Sequence, residues 1–447
     1  PEAGIRAGVG SRGLGDVYTS QRMDNPADSK DYNAYAQAIA GAGGVVSGAV
    51  GHAFVDMAQE TKVSIEASSA ITAKKATIAA EHNDTENVEM DSVSAGGVSG
   101  TGGETKVMVA SDAGVSVGHG STITTAEETA IRAENVTEKA WRDGSSKKNV
   151  SSIGAALASG NGVVNETSIT HVTTVDLDAV TIKANASDLT VEEKAAGKTL
   201  YDKNAIAIDA ASRVISKDRS TLSTGAAVGA AHVKNTNSVA ATTTAHVREG
   251  SQLLAGETEK AKEKDKTASY TGAAQSPYSS AYKGGSIAVG TRNDAELASD
   301  TLVDVYGAAG YAGSENRVTY TGLANTSFAG SAETAKGDIS AMAGRDSRGE
   351  TGTIRASAHS DILNATAIPI SIKKDPVAKI DSRASLTVDA AANMRSDRDI
   401  HLKAKAGSLT ALGSGEVKDW VNKVAGALGA DGSSIGRKEI SSSADVT

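Results

Sequence analysis

The chain has 447 residues, with 45 Lys plus Arg against 54 Asp plus Glu, a net charge of −9 and no cysteine. The missing thiols exclude disulfide frameworks, thiolate zinc sites and cysteine nucleophiles. The acidic balance argues against nucleic acid or an anionic membrane as the main partner. Aromatic residues make up only 3% of the chain, too few for the thick core of a globular enzyme, so the core must be thin and repeated, as in a solenoid. No run of about 18 apolar residues occurs, so no transmembrane helix is expected. The chain opens at Pro1 with neither initiator methionine nor signal peptide, which reads as a processed product or an excised fragment.

Residues 1–35 show no repeat. After Asn25-Pro26, the stretch Ala27–Ala40 reads as a short helix with Tyr32, Tyr35 and Ile39 on one face. Over residues 36–412 a loose block recurs: small residues and Gly, a short polar connection, then alternating strands. Copies run from Ala40 to Glu81 and from Val93 to Asn135, others begin at Ser152 and Ser223, and echoes start at Gly284 and Ala378. The spacing is irregular, roughly 50 to 70 residues, longer than one coil of a parallel β-helix; each block is therefore expected to hold two or three coils and an excursion. Strands with period two are expected at Lys62–Ile65, Val115–Val117, Val180–Ile182 and Leu386–Val388. Turns carry Gly, Asn, Asp and Ser, and the chain has only five prolines, which suits continuous strand pairing. Asp188–Asn204 and Gly256–Lys266 read as polar helices or excursions. In the final segment, 413–447, Glu416–Ala430 reads as a helix with Val417, Trp420, Val421, Val424 and Leu428 along one stripe.

No catalytic, cofactor-binding or metal residue is assigned. His52, His82, His119, His171, His232, His246, His359 and His401 are dispersed without an HExxH pair and read as solvated or stacking residues. Gly197-Lys198-Thr199 ends like a phosphate-binding loop, but Glu192 stands where that loop needs glycine. Gly432-Ser433-Ser434-Ile435-Gly436 fits GxSxG without the strand before and helix after that a nucleophile elbow requires. The glycine clusters at 41–44, 96–103 and 225–229 suit turns and tight stacking better than a dinucleotide site. Polysaccharide-processing β-helix enzymes are the enzymatic alternative, and they need clustered carboxylates. Asp176 with Asp178, and Asp397 with Asp399, would point to one face of a strand and could share a cation; Asp300 with Asp304 is a third pair. A solvated outer face is the expected reading for all three. Thr122–Thr125 and Thr242–Thr244 lack the regular array of an ice-binding face. The Asn-x-Ser/Thr triplets at Asn83, Asn135, Asn149, Asn165, Asn185, Asn325 and Asn364 read as chance in a Ser/Thr-rich chain.

The openings GAGGVVSGAVGHAFVD at Gly41 and STGAAVGAAHVKNTNSVAA at Ser223, leading into strands such as ITAKKATIAAE and LTVDAAANMRSDRDIHLKAKAG, resemble the large filamentous adhesins of Gram-negative bacteria. The resemblance covers most of 36–255 and 284–412. It implies an all-β fold, a right-handed parallel β-helix, with export to the cell surface and a role in adhesion or fibre building without catalysis. The partner it implies is a receptor or glycan on a host or neighbouring cell. About 20 coils of about 22 residues would make a rod of roughly 100 Å. Two versions differ in their ends: an internal stalk section of a longer adhesin, or a subunit that polymerises end to end. Loops around Asn83, Lys147-Lys148 and Glu257–Lys266 are the expected contact points.

Overall fold

The computed structural model describes residues 4–10, 17–22, 34–139, 149–186, 191–197, 203–256, 285–334, 336–372, 374–419 and 433–447. These are almost entirely strand, in one sheet of 15 strands and one of six, with a single short helix at Val191–Ala195. The chain repeatedly returns to lie parallel beside itself. Ala34, Glu86, Lys139, Ser216, Leu297, Ala356 and Ala411 stand in one column, each paired with the next. A turn therefore takes from 52 residues, Ala34 to Glu86, up to 81, Ser216 to Leu297.

This overturns the expected coil size. Each recurring block is a single wide turn, not two or three narrow coils. Seven layers at the ~4.8 Å strand spacing give a stack about 30 Å tall, not a 100 Å rod.

The shape of a turn follows from its residues. An arm leaves along 34–44 and returns along 46–57, and the next layer repeats it along 86–96 and 98–109, in register. Period-two alternation turns every second side chain inward, where Ala34, Ala36 and Ala38 meet Ala53, Val55 and Met57. The closely spaced backbones favour small residues toward the tip, while larger ones such as Met57 and Tyr320 fill the base of the arm. Beyond the arm the turn widens into a body. In the second layer its walls are the end of Ala76–Val117, the short strand Thr122–Thr125 and Thr129–Lys139, packed around Val115, Val117, Ile123 and Ile131. The short strands stack into the six-stranded sheet. Ile65, Val117, Leu177, Val247, Phe328 and Val388 form an inward column of this body. Like residues on like positions keep the cross-section constant from layer to layer.

Glycine is required at one of the arm tips, although Ala156 and Thr366 hold tip positions in other layers. Gly307 has φ +152°, and a Cβ there would sit 1.6 Å from the Ala226 carbonyl oxygen. The Gly/Ala openings of the blocks are these tips. At the corner before the short strand a left-handed residue recurs: Ser68, Gly120, Ala179 and Gly250.

Strands appear where alternation placed them, at Lys62–Ile65, Val115–Val117, Thr181–Ile182 and Leu386–Val388. The expected helices fare differently. Val191–Ala195 lies within the Asp188–Asn204 excursion. Ala34–Ala40 is strand, the start of Ala34–Ile65, and the rest of Ala27–Ala40 lies outside the described residues. Glu416–Asp419 ends the strand Ser408–Asp419, while 420–430, including the Trp420 stripe, lies outside the described residues, as do 257–266. The stack also continues past residue 412: Arg437–Val446 pairs in parallel with Val377–Leu386. Antiparallel additions are confined to Gly4–Gly10, Val17–Arg22 and Ser433–Ile435 among the described strands.

Candidate functional site

The best-built polar cleft lies on the outer wall of the body. Outward positions of neighbouring layers supply Arg132 and Glu134, then Asp209 and Arg213, then Arg292 and Asp294. The loop that follows Ile339–Ala343 closes it with Asp346, Ser347, Arg348 and Glu350. Two glycines with left-handed φ, Gly344 at +75° and Gly349 at +80°, let this loop fold back tightly.

Asp346 is its organiser. One carboxylate oxygen accepts the backbone N–H groups of Arg348 and Glu350, each at 3.0 Å, and the other accepts Arg292 and Arg348 guanidinium groups, also at 3.0 Å. Arg292 donates in addition to Asp294 at 2.7 Å and Glu350 at 2.6 Å. Burial opposes its charge, but Asp294 first, with Glu350 and Asp346, outweighs that and holds its pKa above the ordinary arginine value. Beneath them Asp209 accepts the Ser347 N–H at 2.6 Å and hydroxyl at 2.5 Å; burial raises its pKa and those two bonds partly offset the rise. The cleft is thus a set of mutually satisfied ion pairs that pins a loop to three layers. The exposed Arg213 and Arg132 stand at its mouth, the latter paired with Glu81.

A second polar cluster is buried where arm meets body. Lys139 and Asp218 form an ion pair with both side chains fully buried, and Thr167 accepts from the same ammonium. Beside Lys139 in the column sits Glu86, also fully buried, with neither carboxylate oxygen hydrogen-bonded. Burial pushes its carboxyl up to about 8, Asp84 adds to the rise and Lys139 opposes it. His171 bonds Thr137 at 2.7 Å and Ser212 at 2.8 Å, and burial, helped by His82, pushes it down to about 3. Further along, Asn165, Asn235 and Asn316 form a ladder, with Thr105 donating to Asn165 at 2.8 Å.

The residues weighed in the sequence fall as follows. Asp176 is taken by Arg248 in a two-pronged pair at 2.6 and 2.8 Å, and Asp178 lies 3.9 Å from His119. Asp300 and Asp304 are both raised by burial. Asp397 accepts the Gly337 N–H, while Asp399 joins Asp338 and His401 in a group whose ligand atoms lie within 4.8 Å of one another. Within that group Asp338 is engaged by the Asp399 N–H at 3.3 Å and by Arg398 at 3.5 Å. Gly197 follows the short helix, and Lys198 and Thr199 lie outside the described residues, as does Gly432 of the GxSxG match; Ser433–Ile435 is strand. Of the seven Asn-x-Ser/Thr sites, Asn135, Asn149, Asn165 and Asn364 are buried and closed to a glycan in the folded chain, whereas Asn83 is exposed.

Sequence reasoning passed over Glu86, Lys139 and Asp218. The signal was their phase: Glu86 shares the inward parity of Val88 and Met90. Comparison with protein-family models, curated proteins and solved structures gave no match.

Proposed function

We propose that the chain is a section of a right-handed parallel β-helix in a secreted or cell-surface fibre of the filamentous-adhesin type, serving adhesion or filament assembly without catalysis. The observation that supports this best is the unbroken register: seven layers share one inward column from Val63 through Val115, Val175, Ala245, Thr326 and Leu386 to Val446. Such a stack is stiff along its axis because each layer's backbone bonds to the next. It presents its side chains in rows, which suits repeated weak contacts with a receptor or glycan. The outer-wall cleft fits this reading, since its charges hold a loop in place.

Negative-stain electron microscopy of the purified chain tests the structural part. Single flat particles about 30 Å thick support a stalk section, and filaments of uniform width support end-to-end assembly. Compact particles without that thin dimension overturn both. Adhesion is tested by beads coated with the chain on cultured epithelial cells, against beads coated with heat-unfolded chain. Equal binding of the two overturns the adhesive role, and release of oligosaccharides from a polysaccharide panel overturns the non-catalytic one.

A further inference from the structure

The arm tips reverse the usual polarity of a protein. Inside, Ser47 bonds Ser94 at 2.8 Å, Ser152 donates to Thr101 at 2.6 Å and Thr101 to Asn161 at 2.6 Å, all buried. Outside, the same tips carry Val45 at 81% exposure, Leu157 at 72%, Ile368 at 65% and Val228 at 60%, with Val98 and Ile370 beside them. Val46, Val98, Ala158, Val228, Ala309 and Ile368 stand in register, so the exposed apolar groups form a continuous ridge across six layers.

Charge is missing from the same place. In a chain that is 22% charged, the runs 34–55, 92–103, 149–165, 220–233, 305–314 and 362–372 hold no Asp, Glu, Lys or Arg. Each run straddles one arm tip, and the six stack on one another. Composition alone does not produce that alignment.

From these observations we infer that the ridge inserts into a lipid surface. Three magnitudes select that occupant. Around the six runs the charge nearest a tip is Asp304, three residues from Gly307, so the uncharged zone is about 10 Å deep at ~3.3 Å per residue, narrowing to about 7 Å at the seventh-layer edge, where Asp419 stands in the column of Val305. That matches interfacial insertion of about 5–10 Å and falls well short of the ~30 Å core of a bilayer. The ridge is about 24 Å long, giving about 250 Å² on each face, whereas a stable protein partner needs about 800 Å² per side. Inside the membrane surface, backbone groups must be paired, and on both flanks of the ridge each inner layer is hydrogen-bonded to the layers above and below, the register breaking at the tip residues Gly97, Leu157, Ala227 and Ala308.

The charges that first flank the runs are Asp31, Asp56, Asp91, Glu104, Glu166, Asp304, Glu315 and Asp361 against Lys148, Arg219, Lys234 and Lys373. This acidic margin selects zwitterionic over anionic headgroups. The inference stands apart from the adhesin reading, since an intracellular or catalytic chain with this ridge would insert equally.

Because the chain has no cysteine, Leu157→Cys carries an environment-sensitive dye at one site. Phosphatidylcholine vesicles are expected to raise its emission several-fold, while the same dye at Arg213→Cys, on the body wall, does not respond. The triple variant Leu157→Ser, Val228→Ser, Ile368→Ser is expected to float with the vesicles about a hundredfold less well, with unchanged thermal unfolding because these side chains are exposed. A dye at position 157 that ignores vesicles, or a triple variant that floats like the parent, overturns the inference. So does a dye that responds to protein concentration alone with dimers in light scattering, which assigns the ridge to a second copy.

Discussion

Glu86→Gln is expected to stabilise the chain at neutral pH, by an amount that grows with pH. The carboxyl titrates near 4.5 when the chain is unfolded, and burial raises it to about 8 in the fold. Its contribution to stability is therefore full below about pH 4.5. Between there and about pH 8 the unfolded chain has lost a proton that the folded chain retains, and stability falls by ~1.4 kcal/mol per pH unit. The loss amounts to about 3 kcal/mol at pH 7 and levels off near 5 kcal/mol above pH 8, a large share of a typical net stability of about 5–15 kcal/mol. Glutamine fills the same space and does not titrate. Guanidinium unfolding followed by far-UV circular dichroism, run on both proteins across this pH range, gives the difference directly. His171 has the opposite sign: its depressed pKa of about 3 keeps its stability present above about 6.5 and loses it on acidification. That slope is common to both proteins and cancels. A difference that stays flat between about pH 5 and pH 8 refutes the reasoning, and so does a variant less stable than the parent at pH 8.

Two further substitutions probe the packing and the outer-wall loop. Ile182→Asp puts a charge at a fully buried position between two layers and is expected to cost several kcal/mol and abolish cooperative unfolding, whereas Ile65→Asp, half-buried in the first layer, costs markedly less; equal midpoints in a thermal melt would show that layer position does not matter. Asp346→Ala removes the acceptor of five hydrogen bonds and is expected to free the loop from Gly344 to Gly352, with faster tryptic cleavage after Arg345 or Arg348 and little change in overall melting. Unchanged cleavage would mean that Arg292, Asp294 and Glu350 hold the loop without it.

The all-β character and the strands with clear period-two alternation could be read from the residues alone. Alternation at Val63 and Ile65, Val115 and Val117, and Leu386 and Val388 is a local property that survives any tertiary arrangement with one buried face. Scarce aromatics and abundant Gly, Ala, Ser, Thr and Val likewise required a thin repeated core. The turn size was not legible, because periodicity along a strand says nothing about which later strand it meets; that choice belongs to the register, which sets Ala34 beside Glu86 and Ser216 beside Leu297. Strand ran through Ala34–Ala40 and Glu416–Asp419 despite their helical spacing because the neighbouring layer offered a ladder to join, and tertiary pairing outweighs local propensity. The outer-wall cleft was hidden for the same reason: Asp209, Arg292 and Asp346 meet only because turns of unequal length carry them to one wall. The arm tips show the division most clearly. Their uncharged runs were in plain sight, but only the stacking decided that the hydroxyls face inward and the valines, leucine and isoleucines face out.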